Sequence, residues 1–191
     1  MALFLLAPAT LAAGCVTNRA SEAPPNQGTP GIELRVSPDR LHTDNWRDVR
    51  LTLINHTDRE ILGVTPGDGS FVGWRTPVVR YQVREEGSGA LAVRAPSPGR
   101  CGNMNRIGAD EVVVIPPGGE AEIDGSWLHD WWGYPPGRYT VVLEYRHDPT
   151  IPEHSMFQVP SENDPGAMDQ IRRSEPYHCF SAPFTVVIAE R

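Results

Sequence analysis

Apolar and polar residues alternate with a period of two through most of the chain after residue 31. The clearest stretch is 139–146, where Tyr139, Val141, Leu143 and Tyr145 alternate with mostly polar residues. Such alternation is typical of β-strands with one buried face. The same pattern predicts further strands at 32–36, 49–53, 79–83, 112–115, 120–124 and 184–188.

Turn residues between these segments predict how they pair. A Glu-Glu-Gly-Ser-Gly turn at 85–89 follows the strand at 79–83 and predicts a β-hairpin with 90–94. A Pro-Pro-Gly-Gly turn at 116–119 predicts that the strands on either side of it pair with each other. With these pairs the chain has about seven to nine strands.

Many short strands, Gly and Pro turns and very little helix predict an all-β fold, a single antiparallel immunoglobulin-like β-sandwich. Residues 32–191 are enough for one such domain. Tyr139 follows Pro136-Gly137 and is placed to bond back to the corner before its strand.

A long insertion at 147–178 precedes the last strand. Asp164 before Pro165 gives the start signals of a short helix over 166–173, because aspartate caps helices and proline fits their first turn. Loops of this length are either functional or mobile, so the insertion is a binding loop or a surface excursion.

Three features occur in order: the turn Ile115 to Glu120, then Trp127, then Pro136 to Val141. This order resembles bacterial immunoglobulin-like domains, including those of the intracellular proteinase inhibitor family. The resemblance implies the sandwich fold and makes a proteinase-inhibitor-like domain an alternative function. It identifies no inhibitory loop in this chain.

The first residues form an export signal. Ala2 to Ala13 is an almost unbroken apolar run, too short to span a bilayer. The sequence Leu11-Ala12-Ala13-Gly14-Cys15 resembles the lipobox of bacterial lipoproteins. The resemblance implies that residues 1–14 are a signal peptide and that Cys15 carries a lipid. The alternative is an ordinary signal peptide with a chance cysteine.

Residues 15–31 are predicted to form the lipidated cysteine and a flexible tether, because Thr17 to Gly31 holds three prolines and no large apolar side chain. The expected partner is the membrane, reached through the lipid anchor, and an envelope protein or glycan is a possible further partner. The domain is expected to be lipid-anchored in the cell envelope and to face the periplasm. Val16 after the cysteine favours the outer membrane.

The amino-acid composition and the motifs of the chain argue against several classes of function. All 17 basic residues are arginine and the net charge is −7, which argues against nucleic-acid partners. The lack of lysine excludes a P-loop lysine or a Schiff base. No Gly-x-Ser-x-Gly motif or dinucleotide-binding fingerprint is present, and the six histidines have no recognised metal-ligand spacing. The sequence therefore predicts no enzyme, no catalytic residues, no metal and no cofactor.

The densest local feature is an aromatic loop at 127–134. It could stack on sugar rings or on a partner's side chains, or instead cover an open end of the sandwich. The candidate ligand platform consists of Trp127, His129, Asp130, Trp131, Trp132 and Tyr134.

Export and cysteine count predict a disulfide. With Cys15 lipidated, Cys101 and Cys179 remain in an oxidising compartment where such pairs persist. Neither is expected within a strand, so the bond should tie the end of the insertion to a loop.

Three classes of function follow. The leading one is a membrane-anchored, non-catalytic envelope lipoprotein that acts as a binding or structural module. The others are a proteinase-inhibitor-like domain and an envelope enzyme or metal-binding protein. The enzyme class requires the aromatic loop and the insertion to meet around a cleft.

Overall fold

The computed structural model describes residues 28–42, 48–67, 69–94, 106–125, 133–151 and 163–190. Within these ranges the chain forms mostly antiparallel sheets packed around a main core, which confirms the predicted all-β sandwich. The described part of the insertion after residue 147 contains the α-helix Pro165–Arg173 and leads into the short strand Tyr177–Phe180.

The first sheet has three strands in the order β1-β3-β7, formed by Ile32–Ser37, Arg50–Asn55 and Glu120–Asp124. The predicted alternation holds, because Leu34, Leu51, Leu53 and Ile123 are buried while the acidic residues of β7 are exposed. Burying one face of each strand fixes the register, since a one-residue slip would turn the leucines to solvent.

The second sheet contains β2 (Arg40–His42), β5 (Val78–Glu85), β8 (Gly137–His147), β9 (Tyr177–Phe180) and β10 (Phe184–Ile188). Its strand order is β2-β10-β8-β5, with β9 also paired to β8. Strand β8 lies inside the sheet, and its alternating Tyr139, Val141, Leu143 and Tyr145 point into the core. Strands β2 and β10 are parallel, whereas the other strand pairs are antiparallel.

Two local predictions are confirmed. The hairpin at 85–89 forms, with Glu85 N–H donating to the Ala90 carbonyl at 2.9 Å and Ala92 N–H to the Val83 carbonyl at 2.9 Å. The Tyr139 hydroxyl donates to the Pro135 carbonyl at 2.8 Å, which is the tyrosine corner that the sequence predicts.

The predicted pairing across the 116–119 turn is wrong. Strand β6 (Val112–Ile115) pairs with β4 (Ile61–Val64), while β7 pairs with β3. The backbone of Asn55 exchanges hydrogen bonds with Gly118 and Gly119, so this turn lies beside β3 and lets the chain continue in one direction. We call strands β4 and β6 the β4–β6 ribbon.

Two tyrosine hydroxyls hold the ribbon to the second sheet. Tyr145 accepts from the Val64 N–H at 2.9 Å and donates to the Val64 carbonyl at 2.7 Å. Tyr177 donates to the Leu62 carbonyl at 2.8 Å. These bonds satisfy backbone groups of β4 that a neighbouring strand would otherwise pair.

Helix α1 (Pro165–Arg173) confirms the predicted helix. The Asp164 carboxylate accepts from the Ala167 N–H at 2.8 Å, and Pro165 occupies the first turn. The buried face of α1 packs in a second core against the ribbon. This second core contains Leu62, Val64, Ile107, Ala167, Met168 and Ile171.

An arginine is buried at the far end of this second core. The Arg75 side chain is 1% exposed, and its guanidinium donates to the carbonyls of Arg106 and Thr65 at 3.2 and 3.1 Å. It also pairs with the Glu111 carboxylate at 3.0 Å. Gly67 lies against this guanidinium, where a Cβ atom would collide with it.

The predicted disulfide does not hold for Cys179, because the thiol of this residue is free in the structure. Its predicted partner Cys101 lies outside the described residues. The prediction that Cys179 lies outside a strand is also wrong, because Cys179 lies in β9 opposite Tyr145. Its side chain faces the core and is fully buried.

The Cys179 thiol should resist modification in the native protein. Burial raises the pKa of the thiol to about 12, so the reactive thiolate is scarce as well as inaccessible. In the Cys15→Ser, Cys101→Ser double variant, Ellman's reagent should find no reactive thiol before unfolding and one thiol in guanidinium. Rapid reaction of the folded variant would contradict the buried placement.

Candidate functional site

A concave feature among the described residues lies between α1 and the end of the β4–β6 ribbon that carries Ile61. It encloses about 630 Å³, within the range of small-ligand sites. We call it the α1 groove. It exists because α1 covers the inner part of the ribbon and leaves Val114, which is 47% exposed, beside the helix.

Half of the α1 groove is apolar. Leu62 and Val114 are direct cross-strand partners on the ribbon face that α1 covers, so their side chains form a continuous apolar seat. The complete apolar lining is Ile32, Ile61, Leu62, Val114, Gly166, Pro176 and Tyr177.

The other half is polar and carries both signs of charge. Arg59 pairs with Glu175 across the end of the groove, and Arg173 lies 3.9 Å from Asp169 on the helix. These pairs are exposed and contribute little to stability. The polar lining consists of Arg59, Glu60, Asp169, Gln170, Arg173, Ser174 and Glu175.

A series of partly or fully buried hydrogen bonds supports the wall of the groove at Ser174. The Ser174 hydroxyl donates to the Ile171 carbonyl at 2.6 Å and lies 2.6 Å from His147 Nε2. His147 Nδ1 lies 3.3 Å from the Thr76 hydroxyl, which accepts from the Asp148 N–H at 3.1 Å. This series of hydrogen bonds connects α1 to the end of β8 and to the residues before β5.

These hydrogen bonds determine which ring nitrogen of His147 carries the proton. Because the Ser174 hydroxyl already donates to Ile171, it can only accept from the ring, so Nε2 carries the proton and Nδ1 accepts from Thr76. Burial lowers the pKa of His147 to about 4, partly offset by the nearby Asp148 carboxylate. The ring is therefore neutral near pH 7.

The Ser174–His147 contact has the length of a nucleophile–base pair, but its direction is reversed. In a serine nucleophile the hydroxyl donates to the histidine, whereas here the histidine donates to the hydroxyl. A histidine with a pKa of about 4 is also a weak base at neutral pH. The arrangement is suited to holding α1 in place.

The tether enters the domain next to the α1 groove. Thr29 N–H donates to the His178 carbonyl at 2.7 Å, and His178 N–H donates to the Thr29 hydroxyl at 3.1 Å. Gly28 packs on the backbone of Cys179. The neighbouring residue Tyr177 lines the groove, so the tether and the groove meet at β9.

The structure does not bring the predicted platform residue Tyr134 to this groove. Tyr134 packs on Tyr139 at the start of β8, with ring centroids 5.9 Å apart, whereas the insertion follows the other end of that strand. Eleven extended residues separate the two ends by roughly 33 Å. The rest of the predicted platform lies outside the described residues: Trp127, His129, Asp130, Trp131 and Trp132.

The described residues hold neither a metal-ligand cluster nor a membrane-spanning helix. No three His, Cys, Asp or Glu side chains come together there in a way that could hold a metal ion. No helix in that part of the chain is long and apolar enough to cross a membrane. Cys15 lies outside these ranges.

Comparison of the chain with protein-family models, curated proteins and solved structures finds no match. What the α1 groove can bind therefore follows from its own residues. Sequence reasoning found the helix and the insertion but not the groove, because Leu62 and Val114 are far apart in sequence and the pairing of β4 with β6 was not predicted.

Proposed function

We propose that the protein is a lipid-anchored, non-catalytic binding module of the bacterial cell envelope, and that the α1 groove is its binding site. The observation that carries the proposal is the attachment of the tether. Thr29 bonds to His178, one residue from the groove-lining Tyr177. An anchor at Cys15 would therefore hold the groove close to the envelope surface.

The length of the tether supports this arrangement. The segment from Cys15 to Gly28 has 14 residues and contains prolines, and its composition predicts a flexible coil, which would span roughly 20 Å on average. The apolar run and lipobox-like sequence before it supply a means of attachment, since two or more acyl chains hold a protein stably on a membrane.

The polar chemistry beside the groove supports a binding role over a catalytic one. The Ser174 hydroxyl is a hydrogen-bond acceptor toward His147 and a donor to a main-chain carbonyl, so it is committed to structure. Binding sites need only a stable concave surface with a few polar groups, and the α1 groove provides both.

Replacing Cys15 with serine should abolish lipidation. Radiolabelled palmitate should label the wild-type protein in the native bacterium and not the Cys15→Ser variant, because Cys15 is the one cysteine that directly follows the signal-like run. The variant should also leave the membrane fraction. Cys101→Ser is the matched control and should keep its label. Equal labelling of wild type and Cys15→Ser would refute the anchor.

A further inference from the structure

We propose that the α1 groove binds an extended polypeptide segment of a partner, with an aliphatic side chain next to a basic one. This inference rests on the proposed binding function and names the class of ligand. Three features of the groove carry it: its apolar seat, its mixture of donors and acceptors, and its excess of negative charge.

The apolar seat is small and well defined. Leu62 is nearly buried and Val114 is 47% exposed, and the two lie directly opposite each other in the ribbon. Their surface accommodates one or two aliphatic side chains. The neighbouring helix has nine residues and is about 13 Å long, which matches four residues of extended peptide.

The rest of the lining is unsuited to an acyl chain. Gln170 presents amide donors and an acceptor, and the Glu60 carboxylate lines the same groove. Burying these two groups against a hydrocarbon tail would deprive them of hydrogen bonds from water, at a substantial cost in free energy. A peptide backbone offers a matching N–H and C=O at every residue.

The charges select a basic side chain. Arg59 and Arg173 contribute two positive charges to the lining, while Glu60, Asp169 and Glu175 contribute three negative charges. The arginines pair with Glu175 and Asp169. Among the described residues no cation pairs with Glu60, so it is the group left to attract a basic side chain of the partner.

The test uses an array of immobilised, blocked hexapeptides in which two adjacent positions are fixed and the others are mixtures. The full chain should bind spots that combine Leu, Ile or Val with an adjacent Arg or Lys. The Val114→Glu variant should weaken this binding at least tenfold, because it places a charge on the apolar seat. Glu60→Gln should remove the preference for the basic residue while keeping the aliphatic one.

The matched control is Val93→Glu, a valine that is 83% exposed on the strand-like arm after the 85–89 turn, away from α1. It should leave array binding unchanged. Circular dichroism of all variants shows whether each is folded, and Glu60→Gln keeps the test valid if Val114→Glu does not fold.

Several results would overturn the proposal. One is array binding without a preferred residue, or with a preference for acidic residues. Another is displacement of bound peptides by monomeric laurate, which would indicate an acyl-chain site. Self-association of the wild-type protein that is lost in Val114→Glu would assign the groove to a second copy of this chain. Stronger peptide binding after residues 152–162 are replaced with Gly-Ser repeats would assign the groove to that segment. Palmitate labelling is independent of these outcomes, so the anchor and the ligand class fail separately.

Discussion

Replacing Arg75 with methionine should lower the free energy of unfolding by about 3 to 5 kcal/mol. The guanidinium is almost fully buried and satisfies two main-chain carbonyls as well as the Glu111 carboxylate. Methionine fills most of the space but donates no hydrogen bonds, so the carbonyls of Thr65 and Arg106 lose their partner. Removing one member of a buried pair costs more than the pair contributes, because the other member remains desolvated.

Urea unfolding followed by tryptophan fluorescence measures this effect as a lower midpoint. The control is Arg35→Met, since Arg35 forms an exposed ion pair with Glu33 at 3.4 Å. That change should alter the free energy of unfolding by less than about 0.5 kcal/mol. Equal effects of the two substitutions would show that Arg75 is not buried in a bonded cluster.

The second large effect concerns pH. His147 has a folded-state pKa of about 4 and an ordinary value of 6.5. Between these values the unfolded chain binds a proton at His147 and the folded chain does not, so stability falls as the pH falls. The contribution of His147 is complete above about pH 6.5 and is lost by about pH 4. At about 1.4 kcal/mol for each pH unit, the loss is on the order of 3 kcal/mol.

Comparison with His147→Gln isolates this contribution. Glutamine can accept from Thr76 and donate to Ser174 but does not titrate. The free energy of unfolding of the variant should therefore change less between pH 6.5 and 4.5 than that of the wild type. The neighbouring carboxyl, Asp148, does not titrate in this window. Its partial burial raises its pKa, but the hydrogen bonds from Thr150 act in the opposite direction, and the net result is a pKa below the ordinary value of 3.8. Parallel pH profiles for wild type and His147→Gln would contradict the neutral, buried ring.

The sandwich could be predicted from sequence because its strands follow a local rule. Leu51, Leu53 and the odd-numbered residues of β8 from Tyr139 to His147 are buried as their alternation requires. Helix α1 also carries local signals, namely the Asp164 cap and the proline after it. Features of this kind depend on neighbours in the chain and are readable without a structure.

The groove and its supports could not be predicted in this way. The pairing of Leu62 with Val114, the bond between His147 and Ser174 and the burial of Arg75 each join residues far apart in sequence. The 116–119 turn was misinterpreted because Pro-Pro-Gly-Gly is compatible with a reversal or with an interruption, and only the partner strand decides between them. Cys179 was placed wrongly for a related reason, since β9 is too short to show an alternation.

The hydrogen bonds at Thr29 also determine how the molecule would respond to tension if residues 15–27 tether it as proposed. A pull through that segment would first load the two hydrogen bonds between Thr29 and His178. Beyond them it would load β9, whose residue Tyr177 forms part of the groove and bonds to the ribbon. Force on the anchor would therefore reach the groove before it reached the three-stranded sheet, and a domain bound to a partner under tension would be strained first at its binding surface.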